Sequence, residues 1–274
     1  MMSFYKLIAF DMDGTLLNSE KKITPSTAEA VRKAMAQGIY VVFNTGRCMA
    51  ELGEYFSILD VPYINSVSGA LVLDRQTQQT VYSNALPVDI VSRILEIAAP
   101  EDIMIHLLIQ QSIVQKDKIP QMGRYHMGIY RSMYEKVTDK WNDLSARYQA
   151  DPFPVPKVNL YHTSPEARTR TRRKILAQNL PVEMVDAEST SLEISARGID
   201  KGIGLEKLCS YLHLSMSEVV VVGDADNDAE AMKKAGLSVA MGNANDRIKG
   251  IADTIVNDND HDGCKEALER FFFA

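Results

Sequence analysis

The sequence predicts an α/β protein: a doubly wound parallel-sheet core with a second, α+β domain inserted into it. Two observations predict the core. Short apolar runs at residues 5–10, 39–43 and 219–222 each stop abruptly at polar residues. Helical stretches separate such runs at strand–helix–strand spacing near both ends of the chain. A third observation predicts the insertion: over residues 85–187 this rhythm is lost, and no acidic strand end recurs.

The first run stops at Asp11 and Asp13. A helix follows, starting near Thr24, with Pro25 at its first position, Ser26 and Glu29 at capping-box spacing, and Gly38 at its end. Residues 39–43 are apolar and β-branched, and Asn44-Thr45-Gly46-Arg47 closes them. A crossover this short favours a parallel pair with a right-handed connection. The same order returns late in the chain. Residues 201–212 read as a helix, 219–222 as a buried strand closed by Gly223-Asp224, 228–235 as a helix and 237–241 as a strand. In open parallel sheets, ligands bind beyond the carboxyl ends of the strands. Segments 11–15, 44–47 and 223–228 are therefore expected to line one crevice.

The middle carries alternating stretches at 102–114 and 157–163, a helical stretch at 88–99, and a break at Pro152, Pro154 and Pro156. The expected domains are a core of 1–84 and 188–274 and an inserted domain of 85–187. Tyr125, Tyr130, Tyr134 and Trp141 stand at helical spacing and are expected in its core.

A length of 274 residues, 46% hydrophobic, suits a large buried core. A net charge of -6 argues against a general nucleic-acid binder. The basic run Arg168, Arg170, Arg172, Arg173 and Lys174 has no aromatic stripe beside it and reads as a solvated helix face. Cys48, Cys209 and Cys264 form no CxxC pair and read as reduced thiols. The first ten residues lack the features of a secretory leader, and no apolar run approaches the roughly 20 residues that span a bilayer. The expectation is a cytoplasmic protein with no membrane partner, a monomer or small homo-oligomer. His106, His126 and His162 show no metal-binding spacing and are assigned to packing or surface.

The acidic strand ends carry the chemistry. On an extended strand, Asp11 and Asp13 would point to one side. Carboxylates at close range repel, so one is protonated or a cation lies between them. Asp224 and Asp228 would add charge to the same crevice, and oxygen-only ligands favour magnesium, manganese or calcium. Mg²⁺ held by one or two carboxylates and a substrate phosphate fits the pattern best. A carboxylate can act as a nucleophile through an aspartyl-phosphate, and a second can protonate the leaving oxygen and then activate water. Donors for the phosphoryl oxygens are at hand in the Thr45 hydroxyl, the backbone amides of a turn containing Gly46, and the Lys201 ammonium.

With these residues in view, Asp11-Met12-Asp13-Gly14-Thr15-Leu16, Thr45-Gly46-Arg47, Lys201-Gly202 and Gly223-Asp224-Ala225-Asp226-Asn227-Asp228 resemble the four ordered motifs of the haloacid dehalogenase superfamily. The insert between the second and third motifs, Val239-Ala240-Met241-Gly242-Asn243-Ala244 and Asp262-Gly263 resemble its Cof-type sugar-phosphatase branch. The resemblance covers nearly the whole chain, most weakly in the insert. It implies Asp11 as nucleophile and metal ligand, and Asp13 as general acid/base with its backbone carbonyl on the metal. It implies Thr45, Gly46 and Lys201 at the phosphoryl group and Asp224 as a further Mg²⁺ ligand. Asn227 and Asp228 would support phosphate and metal from the edge. It further implies that the insert is a cap closing over the core site. Two positions depart from the family's pattern. Ser68-Gly69-Ala70 stands where Asn-Gly-Ala is frequent, and Asn44 precedes Thr45 where a small residue is common.

The resulting expectation is an Mg²⁺-dependent phosphomonoester hydrolase of small phosphorylated metabolites, sugar phosphates first. Cofactor phosphates such as pyridoxal phosphate or flavin mononucleotide come next. The alternatives are a phosphotransferase (a phosphomutase or a phosphorylated signalling protein) and a binding module that has kept the fold.

Overall fold

The computed structural model describes residues 4–187 and 189–273. The domain boundary expected at residue 188 falls outside them. Fourteen strands lie among the described residues: β1 Leu7–Phe10, β2 Tyr40–Asn44, β3 Tyr63–Ser66, β4 Leu71–Asp74, β5 Gln79–Ser83, β6 Ile103–Leu108, β7 Ser112–Gln115, β8 Asp139–Trp141, β9 Lys157–His162, β10 Val182–Ala187, β11 Ser191–Ala196, β12 Val219–Gly223, β13 Leu237–Ala240 and β14 Thr254–Ile255. They form two sheets, in the orders β14-β13-β12-β1-β2-β3-β4-β5 and β10-β11-β9-β6-β7-β8.

The first sheet is the expected α/β core. From β14 to β3 its strands are parallel, and β4 and β5 join antiparallel at the edge. The sequences of β1 (LIAF) and β12 (VVVVG) are buried throughout, as a sheet covered on both faces requires. Chain order reverses between β1 and β12, the topological switch point where such sheets place ligands. Phe10 pairs with Val222 on one side and Phe43 on the other. The carboxyl ends of β1, β2 and β12 are thus level, and the residues following them meet.

Local signals explain the flanking helices, with one correction. The helix Pro25–Ala36 is capped by Thr24, whose side chain accepts from the Thr27 amide, with Pro25 in the first turn. Ser26, expected at the cap, instead donates to Asp262 Oδ2 at 2.6 Å. Gly38 follows the helix at φ +84°. The helix Lys201–Leu212 begins where Asp200 accepts from the Ile203 amide at 2.9 Å.

The described chain divides into two units, each with its own apolar core. One holds residues up to 46, 53–83 and from 200 onward; the other holds 47–52 and 84–199. The inserted unit therefore reaches beyond the expected end at 187. β10 and β11 form an antiparallel hairpin, and β11 pairs onward with β9, so residues 191–196 belong to the second sheet. Residues 47–52, expected in the core, also join the second unit.

In the second unit, helices Val88–Ala98, Leu144–Ala150 and Pro165–Leu176 pack on one side around Ile105, Leu107, Val158, Leu160 and Ile194. A second cluster includes Met104, Met122, Tyr125, Tyr134 and Tyr161. Of the four aromatics expected in the core, Tyr125, Tyr134 and Trp141 are buried, but on a 3-10 segment, a helix and a strand rather than one helix. The basic run lies on Pro165–Leu176 as expected, yet it is not simply solvated: Arg168 and Arg172 pair with Asp186, and Lys174 with Glu101.

His106 sits fully buried in this unit. Ser112 Oγ donates to Glu51 Oε1 at 3.0 Å and lies 2.7 Å from His106 Nε2, while Tyr134 Oη lies 3.1 Å from His106 Nδ1. Burial first, and then repulsion from Lys157, lower the pKa of His106 to about 3. In the unfolded chain it titrates near 6.5. Between these values the unfolded state binds a proton that the folded state refuses, so stability falls with pH by about 1.4 kcal/mol per unit. Burial raises Glu51, which acts in the opposite sense. His106→Gln is therefore expected to flatten the loss of stability between pH 6.5 and 5, measured by urea titration. Equal slopes for variant and wild type would exclude this assignment.

Candidate active site

β1 ends at Phe10, and the chain turns at once. The Asp11 amide donates to the Val222 carbonyl at 3.0 Å, anchoring the turn to β12. Asp13 lies beyond the strand, in the turn, with Met12 fully buried between the two acids. Strand alternation therefore does not extend to Asp11 and Asp13. The Asp13 carboxylate stays partly exposed and accepts from Lys21 Nζ at 2.8 Å.

Asp11, Asp224 and Asp228 do converge. Each offers an oxygen within 4.8 Å of the others. Lys201 Nζ, fully buried, donates to Asp11 Oδ1 at 2.6 Å and to Asp228 Oδ1 at 2.7 Å. Asp228 Oδ2 accepts from the Asp224 and Ala225 amides at 3.1 and 3.2 Å. Asp228 is thereby satisfied on both oxygens, which makes it a support for Lys201 and the turn. Asp224 is held by Thr15 Oγ1, which donates to Oδ1 at 2.9 Å. Gly14, at φ +84°, permits this approach: a Cβ there would lie 2.4 Å from Asp224 Oδ2. The Gly14 carbonyl in turn accepts from Asn243 Nδ2 at 2.8 Å.

The electrostatics follow from crowding. Burial, then repulsion from Asp228 and Asp224, raises the pKa of Asp11 well above its ordinary value against the attraction of Lys201. Burial and Asp228 push Asp224 up to about 6. For Lys201, burial favours the neutral amine, but attraction to Asp11 and Asp228 outweighs it and raises the pKa. One buried ammonium faces three carboxylates, so the cluster holds excess negative charge.

Thr45 follows β2 and is buried. Its amide donates to the Asn65 carbonyl at 2.8 Å, and its carbonyl accepts from the Ser68 amide at 3.0 Å. Gly46 follows at the end of the core segment. Val67 and Ser68 both adopt left-handed backbone, at φ 53° and 57°. That conformation is costly for β-branched Val67, and such outliers gather at functional sites. Asn227 occupies the turn 226–228 with its buried Oδ1 unpartnered. The three free cysteines are buried, and burial, with repulsion from Asp11 and Asp224 next, raises the Cys264 thiol well above its usual range.

Thr15, Asn243, Asp200 and Asn65 also shape the site, with no role expected for them from the sequence. Thr15 and Asn243 stand inside quoted motifs. Asp200 was marked by its place at a helix start, and Asn65 by being polar in an apolar strand. No described helix is long and apolar enough to cross a membrane.

The family model described as haloacid dehalogenase-like hydrolase matches residues 8–268. The 5-amino-6-(5-phospho-D-ribitylamino)uracil phosphatase YcsE of Bacillus subtilis (strain 168) is 28% identical over 271 residues, covering 97% of this chain and 95% of its own. The HMP-PP phosphatase of Serratia proteamaculans (strain 568) is 26% identical over 250 residues, covering 90% and 87%. Among solved structures, a haloacid dehalogenase-like hydrolase from Bacteroides thetaiotaomicron superposes with a TM-score of 0.86 at 28% identity, covering 98% of this chain and 100% of that one. Motif order, sheet topology and a match spanning nearly the whole sequence agree: the chain belongs to the haloacid dehalogenase-like hydrolase family.

Proposed function

We propose that this chain is an Mg²⁺-dependent phosphomonoester hydrolase of small phosphorylated metabolites, working through an aspartyl-phosphate on Asp11. The observation that carries the reading is the buried Lys201 bridging Asp11 and Asp228, with Asp224 beside them, at the level carboxyl ends of β1 and β12. Phosphorylated sugars and polyols lead as substrates, since the similar Bacillus protein is named for a phosphoribityl compound. Choice among them is assigned to the inserted unit.

The donor set fits a divalent hard cation. It is all oxygen, carries uncompensated negative charge, and includes two carboxylates whose pKa values are raised by burial first and then by neighbouring carboxylates. Asp11, Asp224 and the Asp13 backbone carbonyl would hold the ion. Bound there, Mg²⁺ would neutralise the cluster and the phosphate oxygens. Asp228, saturated by Lys201 and two amides, remains in support.

A carboxylate oxygen of Asp11 attacks phosphorus, and the bond from phosphorus to the ester oxygen breaks. Lys201 and Thr45 hold the transferring group, with Gly46 and Asn227 at its edge. Asp13 gives a proton to the departing alcohol. It then takes a proton from the water that attacks the phospho-enzyme, releasing inorganic phosphate and restoring Asp11. Lys21 donates to the Asp13 carboxylate and so orients it.

The test is hydrolysis of a panel of phosphate esters. Chelation is expected to abolish turnover and Mg²⁺ to restore it. Asp224 binds a cation only when deprotonated, so protons compete below about pH 6. The Mg²⁺ concentration giving half the maximal rate is expected to rise by up to about tenfold per pH unit below that value. A requirement that stays flat between pH 7 and 5 would remove Asp224 from the ligand set.

A further inference from the structure

Asn44 and Asn65 are both fully buried at the carboxyl ends of neighbouring parallel strands. Asn65 Nδ2 donates to Asn44 Oδ1 at 2.6 Å and to the Lys201 carbonyl at 2.7 Å. The backbone carbonyl of Asn65 accepts from the Thr45 amide at 2.8 Å. One residue thus fastens both groups to which the proposed reaction assigns the phosphoryl oxygens. Its side chain holds the start of the helix that carries Lys201, and its backbone holds Thr45.

The arrangement runs against stability. Asn65 Oδ1 and Asn44 Nδ2 have no hydrogen-bond partner, and burying unpaired polar atoms is unfavourable. The Lys201 carbonyl lies in the first turn of its helix, where an amide four residues on can serve it without Asn65. Apolar side chains would fill the same space without orphaned atoms. The position of Asn65 is also tightly bounded: a Cβ on Gly204 would lie 1.9 Å from Asn65 Oδ1. The helix approaches the strand this closely because position 204 carries no side chain.

We infer that Asn65, oriented by Asn44, is a positioning residue that sets the placement of Lys201 relative to Thr45. This rests on the phosphatase reading above, in which those two groups bind the transferring phosphoryl. The orphaned polar atoms are the cost of a tether that an apolar pair cannot supply. Small misplacements of phosphoryl-binding groups weaken the transition state more than the ground state.

The experiment compares wild type with the double variant Asn44→Ala/Asn65→Leu, which removes the tether and both orphaned groups together. The readouts are kcat and KM on a phosphate ester that the wild type hydrolyses, thermal midpoint, and amide hydrogen exchange over residues 200–205. The expected result is a kcat lower by about tenfold or more with KM changed by less than about threefold. The thermal midpoint stays level or rises, and exchange quickens at 200–205 while the rest of the core stays as protected as before. Unchanged kcat and unchanged local exchange would overturn the inference. So would a fall in kcat that merely tracks a lowered midpoint and a general rise in exchange, because that outcome means packing alone. Should the double variant fail to fold, Asn65→Ser keeps a polar group that cannot reach both acceptors, and the same readouts decide. If the wild type hydrolyses no phosphate ester, the phosphatase reading fails on its own, while hydrogen exchange still decides whether Asn65 fixes the Lys201 segment.

Discussion

Asp11→Asn is expected to lower kcat for phosphate-ester hydrolysis by at least about a thousandfold. The amide keeps the shape of the side chain but cannot attack phosphorus. Folding is expected to survive. Burial, and then repulsion from Asp228 and Asp224, raises the pKa of Asp11, so its ionised form opposes the folded state. A carboxyl whose folded pKa lies above its unfolded value contributes stability at low pH, and that contribution is lost as pH rises through the folded value. Removing the charge in the metal-free protein should leave stability at pH 7.5 unchanged or higher, by urea titration. Loss of activity with stability intact separates a nucleophile from a structural acid. Near-wild-type turnover would exclude Asp11 as nucleophile.

Lys201→Met has a comparable effect on turnover and the opposite effect on folding. The ammonium holds Asp11 and Asp228 together in a site with almost no solvent. Removing one partner of a buried ion pair leaves uncompensated charge, at a cost of about 3–5 kcal/mol. The metal-free variant should therefore be less stable by roughly that amount at pH 7.5. Acid should restore part of the loss as Asp11 takes up a proton, because protonation relieves the repulsion that remains. The paired readouts form a diagnostic: Asp11→Asn loses rate alone, and Lys201→Met loses both. A Lys201→Met protein as stable as wild type would mean that solvent or an ion reaches the cluster more easily than its burial indicates.

The central residues were legible because their chemistry is out of place. Asp11 and Asp224 end apolar strands, Thr45 closes another, and Lys201 begins a helix straight after a capping acid. Apolar runs and helix spacing place the strand-end residues Asp11, Thr45 and Asp224 on one edge of a parallel sheet, whereas the role of Lys201 is legible only through the family resemblance of its motif. The partner of each side chain was less legible. Strand alternation predicts the Asp11 and Asp13 carboxylates on one side, but β1 ends one residue before Asp11, so the rule does not reach them. Asp13 instead meets Lys21, eight residues along in the same loop. Asn44 registered only as a departure from a pattern. Its reason is Asn65, twenty-one residues away, and strand periodicity does not reveal which buried polar residues face one another across a ladder. The boundary at 187 failed for a similar reason. The hairpin of β10 and β11 belongs to the inserted sheet through its pairing with β9, a long-range contact that local composition does not mark.

A covalent phosphoryl group at Asp11 is the centre of the proposed reaction. Acid quenching during turnover with Mg²⁺ and a hydrolysable phosphate ester, followed by peptide mass spectrometry, measures this directly. A phosphorylated peptide carrying Asp11 is predicted for the wild type and its absence for Asp11→Asn. An active wild type that yields no phosphorylated peptide, together with an Asp11→Asn variant that still turns over, would contradict the account.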